Sequence, residues 1–307
     1  MSKCFSLTAS RNRCYRSGFS KSGLRSTLTD LKDGTVVHCW VPKTRIESRP
    51  DLLLIHGFGA NAVWQWSELV RHVAPFFNVY VPDLLFFGDS FTTRPERSEG
   101  FQARCVMRVM EANSVRRVSV VGVSYGGFVG YSVAAQFKEA VERVVICCAG
   151  VCMEEKDIGE GLFKVSDLET AVSILLPQTP EKLRELMRYT FYRPPRGVPS
   201  CFLEDFIDTM CTEHVEEKKG LLRAIVRDRK LSDLPKISQP TLMVWGDHDQ
   251  VFPLELAHRL KRHLGENAEM VVIKKAGHAF IVENFKEFYR RLKPFLSDLP
   301  PSIPQDH

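Results

Sequence analysis

Three residues of this 307-residue chain have the types and surroundings that nucleophilic acyl chemistry needs: a serine, a histidine and an aspartate. Ser124 lies in Gly122-Val123-Ser124-Tyr125-Gly126-Gly127, between the β-branched run Val118-Ser119-Val120-Val121 and a helix-compatible stretch from Phe128 to Phe137. Strand, G-x-S-x-G and helix make a nucleophile elbow. The turn forces the serine into a strained backbone conformation, and a side chain at 122 or 126 would crowd the neighbouring strand and helix. The helix N-terminus beneath the hydroxyl favours negative charge developing there. A serine hydroxyl is feeble at neutral pH and needs an adjacent base. His278, in Gly277-His278 behind the last strand-like run, would take its proton and return one to a leaving group. A carboxylate orienting that imidazole is available at Asp247 or Asp249, in Trp245-Gly246-Asp247-His248-Asp249. Asp247 also reads as a turn carboxylate bonded to its own backbone.

The elements that must position these residues alternate. Gly23–Asp30 and Thr35–Trp40 read as a strand pair around Lys32-Asp33-Gly34. Leu52–Ile55, Val79–Asp83, Val118–Val121, Arg143–Gly150, Thr241–Trp245 and Glu269–Ile273 read as buried parallel strands. Helical patterns separate them over 62–74, 96–113, 128–137, 254–264 and 283–296. Strands alternating with helices predict an α/β fold with a doubly wound, mostly parallel, eight-stranded sheet. The alternation stops near 151. From there to 238 the pattern is helical and proline-punctuated, with stretches at 167–176, 180–192, 201–210 and 213–227. The expected organisation is a basic arm over 1–18, a core over 19–150 and 239–298, an inserted helical cap over 151–238, and a flexible tail over 299–307. The three candidate residues all fall at carboxyl ends of strands, where open α/β sheets gather their ligands.

Composition bounds the partners. Residues 1–29 hold six basic side chains and no acidic one. That leaves 36 basic against 37 acidic side chains in the remainder, a net of −1. A nearly neutral body gives a nucleic-acid partner no support. Nine scattered cysteines without C-x-x-C spacing fit reduced thiols in a cytoplasmic protein, with Cys147 and Cys148 as apolar packing. The basic, serine-rich, acid-free start is similar to an organelle transit peptide, so import is the alternative localisation. No apolar run reaches the eighteen residues a membrane span needs. A basic segment without an acyl chain predicts at most weak contact with a membrane surface. No metal-ligand spacing or redox cofactor motif is present, and none is expected.

Taken together, His56-Gly57-Phe58-Gly59, P-D-L-x-x-x-G-x-S over 82–90, G-x-S-x-G over 122–126, W-G-D-x-D-x-x-x-P over 245–253 and Gly277-His278 resemble the α/β-hydrolase superfamily with an inserted cap. The resemblance runs from about residue 23 to 297. Its finer similarity is to plant members described as monoacylglycerol-lipase-like or as relatives of C–C-bond hydrolases. The resemblance implies Ser124 as nucleophile, His278 as base and, by the W-G-x-x-D pattern, Asp249 rather than Asp247 as the acid. It implies an oxyanion hole from the backbone amides of Phe58 and Tyr125. His56, Gly57, Phe87, Phe163 and Leu176 are the candidate substrate-pocket residues, and Asp83 reads as a structural turn residue.

The expected activity is therefore serine hydrolysis of carboxylic esters of small or medium apolar substrates, including acylglycerols, through an acyl-enzyme. One alternative is C–C hydrolysis of a vinylogous diketone. Relatives with that chemistry carry a glycine-proline oxyanion loop, and Gly57-Phe58-Gly59-Ala60-Asn61 has no proline. A second alternative is a ligand-binding, receptor-like member with slow or no turnover.

Overall fold

A computed structural model describes residues 6–297; the expected tail over 299–307 lies outside them. The first described element is helix α1 (Leu7–Lys21), within the span expected as a basic arm over 1–18. Ser6 caps it by accepting from the Ala9 amide. Its apolar residues are few, but tertiary contacts hold it. Phe19 is buried edge-on against Trp40, Tyr15 meets Trp64 edge-on, and Asn12 accepts from the Trp64 indole. Most helical stability comes from such packing rather than from propensity.

The strands follow as β1 (Leu24–Asp30), β2 (Thr35–Pro42) and β3 (Asp51–Ile55). Helix α2 (Ala62–Val73), β4 (Asn78–Pro82), the two-residue β5 (Phe91–Thr92) and α3 (Glu99–Ala112) come next. After them stand β6 (Val118–Val123), α4 (Tyr125–Gln136) and β7 (Val141–Cys147). Five helices then intervene: α5 (Lys156–Gly159), α6 (Leu168–Leu175), α7 (Pro180–Thr190), α8 (Ser200–Met210) and α9 (Val215–Val226). The chain closes with β8 (Thr241–Gly246), α10 (Leu254–Leu264), β9 (Ala268–Ile273), α11 (Phe280–Glu283) and α12 (Phe285–Ser297).

The sheet runs β1-β2-β4-β3-β6-β7-β8-β9. β1, β2 and β4 pair antiparallel, and from β4 through β9 every pair is parallel. Against the eight strands expected there is a ninth: β5 bonds the start of β2 through Thr35 and Val36. Two residues are too few to carry a periodic signal. The central strands β3, β4, β6 and β8 are buried at every position, as strands covered by helices on both faces must be. Between β7 and β8 no strand occurs among the described residues. Helices α7 and α8 share a separate small apolar cluster of Leu183, Leu203, Ile207 and Cys211.

Candidate active site

Ser124 sits at the β6–α4 turn with φ 53° and ψ −123°, a conformation costly for a residue with a Cβ. The turn is held by the Ser124 amide donating to the Cys147 carbonyl at 2.8 Å. The flanking glycines are steric necessities. A Cβ at 126 would lie 2.3 Å from the Ile55 carbonyl oxygen, and one at 122 would lie 2.2 Å from that of Gly126.

The amide of Tyr125, which begins α4, and that of Phe58 in the β3–α2 loop have no acceptor among the described residues. A Cβ on Gly57 would come 3.2 Å from the Ser124 Cβ, so that loop runs close beside the serine. His56 fixes it from behind. Its Nε2 accepts from the Leu84 amide at 2.9 Å, which leaves Nδ1–H to donate to the Gly57 carbonyl at 2.8 Å. Burial lowers the His56 pKa from its usual value, the charge on nearby Lys218 adds to this, and the neutral tautomer is the one both bonds require.

His278 follows β9, and its Nδ1 meets Asp249 Oδ2 at 2.8 Å. The other oxygen of Asp249 accepts from the amides of Val251 and Phe252, at 2.8 and 2.9 Å. Asp247 faces elsewhere: its Oδ1 accepts from the Ala276 amide. Cys148, read from the sequence as apolar packing, is fully buried with φ 44°. Its sulfur lies within 4.8 Å of donor atoms of both Asp249 and His278. Burial and the neighbouring Asp249 carboxylate push the thiol pKa far up, so it stays protonated. These three are the one group of metal-ligand types that converges among the described residues. Two of its donors are already engaged with each other, and the third keeps its proton.

Ser124 and His278 open into one cavity of about 780 Å³, with Gly57 and Phe58 in its wall. Leu175 of α6, Leu183, Leu186 and Met187 of α7 and Phe206 of α8 supply much of its apolar lining. A smaller apolar chamber of about 100 Å³ shares Leu175 and Leu186 with it and is lined by Phe163 and Phe252. Of the five expected pocket residues, Gly57 lines the main cavity and Phe163 the smaller chamber. His56, Phe87 and Leu176 line neither. All three are buried. His56 is spent on the loop backbone, and Phe87 packs edge-on between His56 and Phe58, with centroids at 5.2 Å to each. Leu175, its neighbour on α6, points into the cavity instead of Leu176. A run of apolar residues does not reveal which of two adjacent leucines faces a void. Asp83 is structural as expected: it takes the Ala62 amide on one oxygen and His38 Nδ1 on the other, both at 2.7 Å.

Residues 50–285 match the alpha/beta hydrolase fold family. The chain belongs to that family. Among its relatives, Lipase 1 of Psychrobacter immobilis is 28% identical over 81% of this chain and 77% of its own. Monoacylglycerol lipase ABHD6 of Homo sapiens is 22% identical over 85% of this chain and 79% of its own. Among solved structures, a putative lipase from Acinetobacter baumannii superposes with a TM-score of 0.78 at 22% identity, covering 93% of this chain and 95% of that one. The 2-hydroxy-6-oxo-6-phenylhexa-2,4-dienoate hydrolase of Rhodococcus sp. superposes with a TM-score of 0.73 at 19% identity, covering 89% of this chain and 98% of that one. This alpha/beta hydrolase thus shares its fold with proteins named for different reactions, and its own reaction has to be argued from its site.

Proposed function

We propose that this alpha/beta hydrolase cleaves carboxylic esters of medium-sized apolar acyl groups, acylglycerols among them, by a serine acyl-enzyme route. The observation that carries the proposal is the opening of Ser124 and His278 into one apolar cavity, with His278 held from behind by Asp249. The lipase and monoacylglycerol lipase relatives support ester hydrolysis.

In this reading His278 takes the Ser124 proton as Oγ attacks the ester carbonyl. Asp249 keeps Nδ1 protonated, so that Nε2 is the basic nitrogen. The vacant amides of Phe58 and Tyr125 receive the oxyanion, each worth about 3–4 kcal/mol in the transition state. His278 then protonates the departing alcohol, and water repeats the sequence on the acyl-enzyme. Residues 151–238 act as the cap, supplying Leu175, Leu183 and Leu186 to the wall along which an acyl chain would lie.

Intact-protein mass after a fluorophosphonate probe is the direct test, with wild type beside Ser124→Ala. One adduct on wild type alone, followed by turnover of a medium-chain ester, is the expected result. A folded wild type that takes no adduct would overturn the proposal.

A further inference from the structure

Seven large apolar side chains stay exposed among the described residues. Three of them, Leu7, Phe202 and Val282, line the cavity that holds Ser124. They come from three separate elements, α1, α8 and α11, so no single amphipathic pattern explains their meeting. Val282 is 71% exposed. Apolar groups gathered on an otherwise well-buried molecule mark a contact surface.

Charge stands beside them. Helix α1 carries Arg11, Arg13, Arg16 and Lys21 and no carboxylate. Arg16 pairs with Asp89 at 3.5 Å, and Arg11, which also lines the cavity, lies over the Tyr15 ring. Arg13, two residues on and so on the other side of the helix from Arg11, donates to Ser10. Asp205 on α8 accepts from the Thr8 amide at the start of α1. The exposed surface of α1 presents the Arg11 cation next to the apolar rim.

We propose that this mouth is a docking surface for an anionic lipid layer, with Leu7, Phe202 and Val282 entering among the acyl chains and Arg11 meeting lipid phosphates. The proposal rests on the ester-hydrolase reading for its purpose but not for its physics. A substrate with a long acyl chain has to reach Ser124 through the opening these residues frame. A lipid layer seated there delivers that substrate, whereas a protein seated there would stopper the cavity. Apolar insertion supplies the contact and the basic group selects the headgroups.

Co-sedimentation with phosphatidylcholine vesicles containing 30% phosphatidylglycerol tests it, against phosphatidylcholine alone. Wild type is expected to partition onto the anionic vesicles and much less onto the neutral ones. Leu7→Asp with Val282→Asp should lower partitioning at least tenfold, and Arg11→Gln about fivefold, the effect of about 1 kcal/mol per basic residue at such a surface. Circular dichroism guards against misfolded variants. Equal partitioning of wild type and the double variant would overturn the proposal. So would no vesicle binding, or a dimer in solution that Val282→Asp dissociates, since a second copy would then cover the rim. Fluorophosphonate labelling of Ser124 without vesicles separates the two readings: an adduct without vesicle binding sinks the docking surface alone, and vesicle binding without an adduct sinks the esterase reading alone.

Discussion

The backbone amide of Ala279 donates to the carbonyl of Thr190 at 2.8 Å, so the residue after His278 is bonded to the last residue of α7. Glu283 adds to this tie. Its carboxylate accepts from the Gly277 amide at 2.8 Å and from the Arg193 amide at 3.1 Å. The loop that carries His278 and the segment leaving α7 are thus one hydrogen-bonded unit.

That unit has no spare room. A Cβ at position 277 would lie 2.5 Å from the Thr190 carbonyl oxygen and 2.8 Å from the Tyr192 nitrogen. Gly277→Ala is expected to displace His278 and lower kcat about a hundredfold, the usual scale for a misplacement of an ångström. Far-UV circular dichroism should be unchanged. Wild-type kcat in this variant would show that the strain is absorbed elsewhere.

The two neighbouring aspartates make a paired test. Asp249→Asn leaves a group that can hold the wrong imidazole tautomer, and kcat for ester hydrolysis should fall about 10⁴-fold. Asp247→Asn keeps an oxygen that can accept from the Ala276 amide and removes a charge near Lys274 and His248, so it should change kcat by less than about tenfold. Equal losses from both would contradict these roles.

Gly126→Ala should act on stability as well as activity. Its Cβ would meet the Ile55 carbonyl at 2.3 Å and that of His56 at 2.4 Å, both backbone atoms of the central sheet edge that cannot turn aside. A loss of about 3 kcal/mol, the upper range for overpacking, would appear as a Tm lower by several degrees. An unshifted Tm would refute the contact.

His56 predicts an acid limb in stability. Burial lowers its pKa in the fold, while the unfolded chain titrates at about 6.5. Below that pH the unfolded state binds the proton more readily, so stability falls as pH drops through 6.5 and is unaffected by this group well above it. His56→Gln keeps a side chain able to donate and accept, and it should flatten the slope of Tm between pH 7 and 5. An unchanged slope would assign the limb to other groups.

Lys218 on α9 is 4% exposed with no carboxylate partner among the described residues, its Nζ 5.0 Å from the centroid of the Phe87 ring. Burial lowers its pKa, only partly offset by Cys211, Glu213 and Glu217. Because desolvation outweighs the attraction of the ring, Lys218→Met should leave the protein as stable or raise its stability by up to about 1 kcal/mol. Thermal denaturation at pH 7 reads this directly, and a clear drop in Tm would mean that the cation–ring contact dominates.

The elements nearest the chemistry were the most legible. Ser124, Asp249 and His278 follow strands rich in β-branched and other apolar residues, and their glycines are dictated by backbone collisions that sequence alone can foresee. What stayed hidden depended on tertiary context. Helix α1 is polar in composition and exists because Tyr15 and Phe19 find aromatic partners far along the chain. The two residues of β5 have no period. His56 and Phe87 look like pocket residues by position, but both are consumed in bracing Phe58. Cys148 looks like filler in an apolar run and stands against the Asp249–His278 pair because its φ is positive.

Strands β7 and β8 are immediate neighbours, paired from Val144 with Thr241 to Cys147 with Val244. More than ninety residues of sequence separate them, and because the two strands are parallel the chain leaves at the carboxyl end of β7 and returns to the amino end of β8, about three residues or roughly 10 Å back along the sheet. Such an insertion behaves as a replaceable module. Its length and helices can drift, or be swapped for another set, while the sheet register and the turn at Ser124 keep their geometry. The serine turn is tied to the sheet, whereas the histidine loop is tied to the insert as well, through the carbonyl of Thr190.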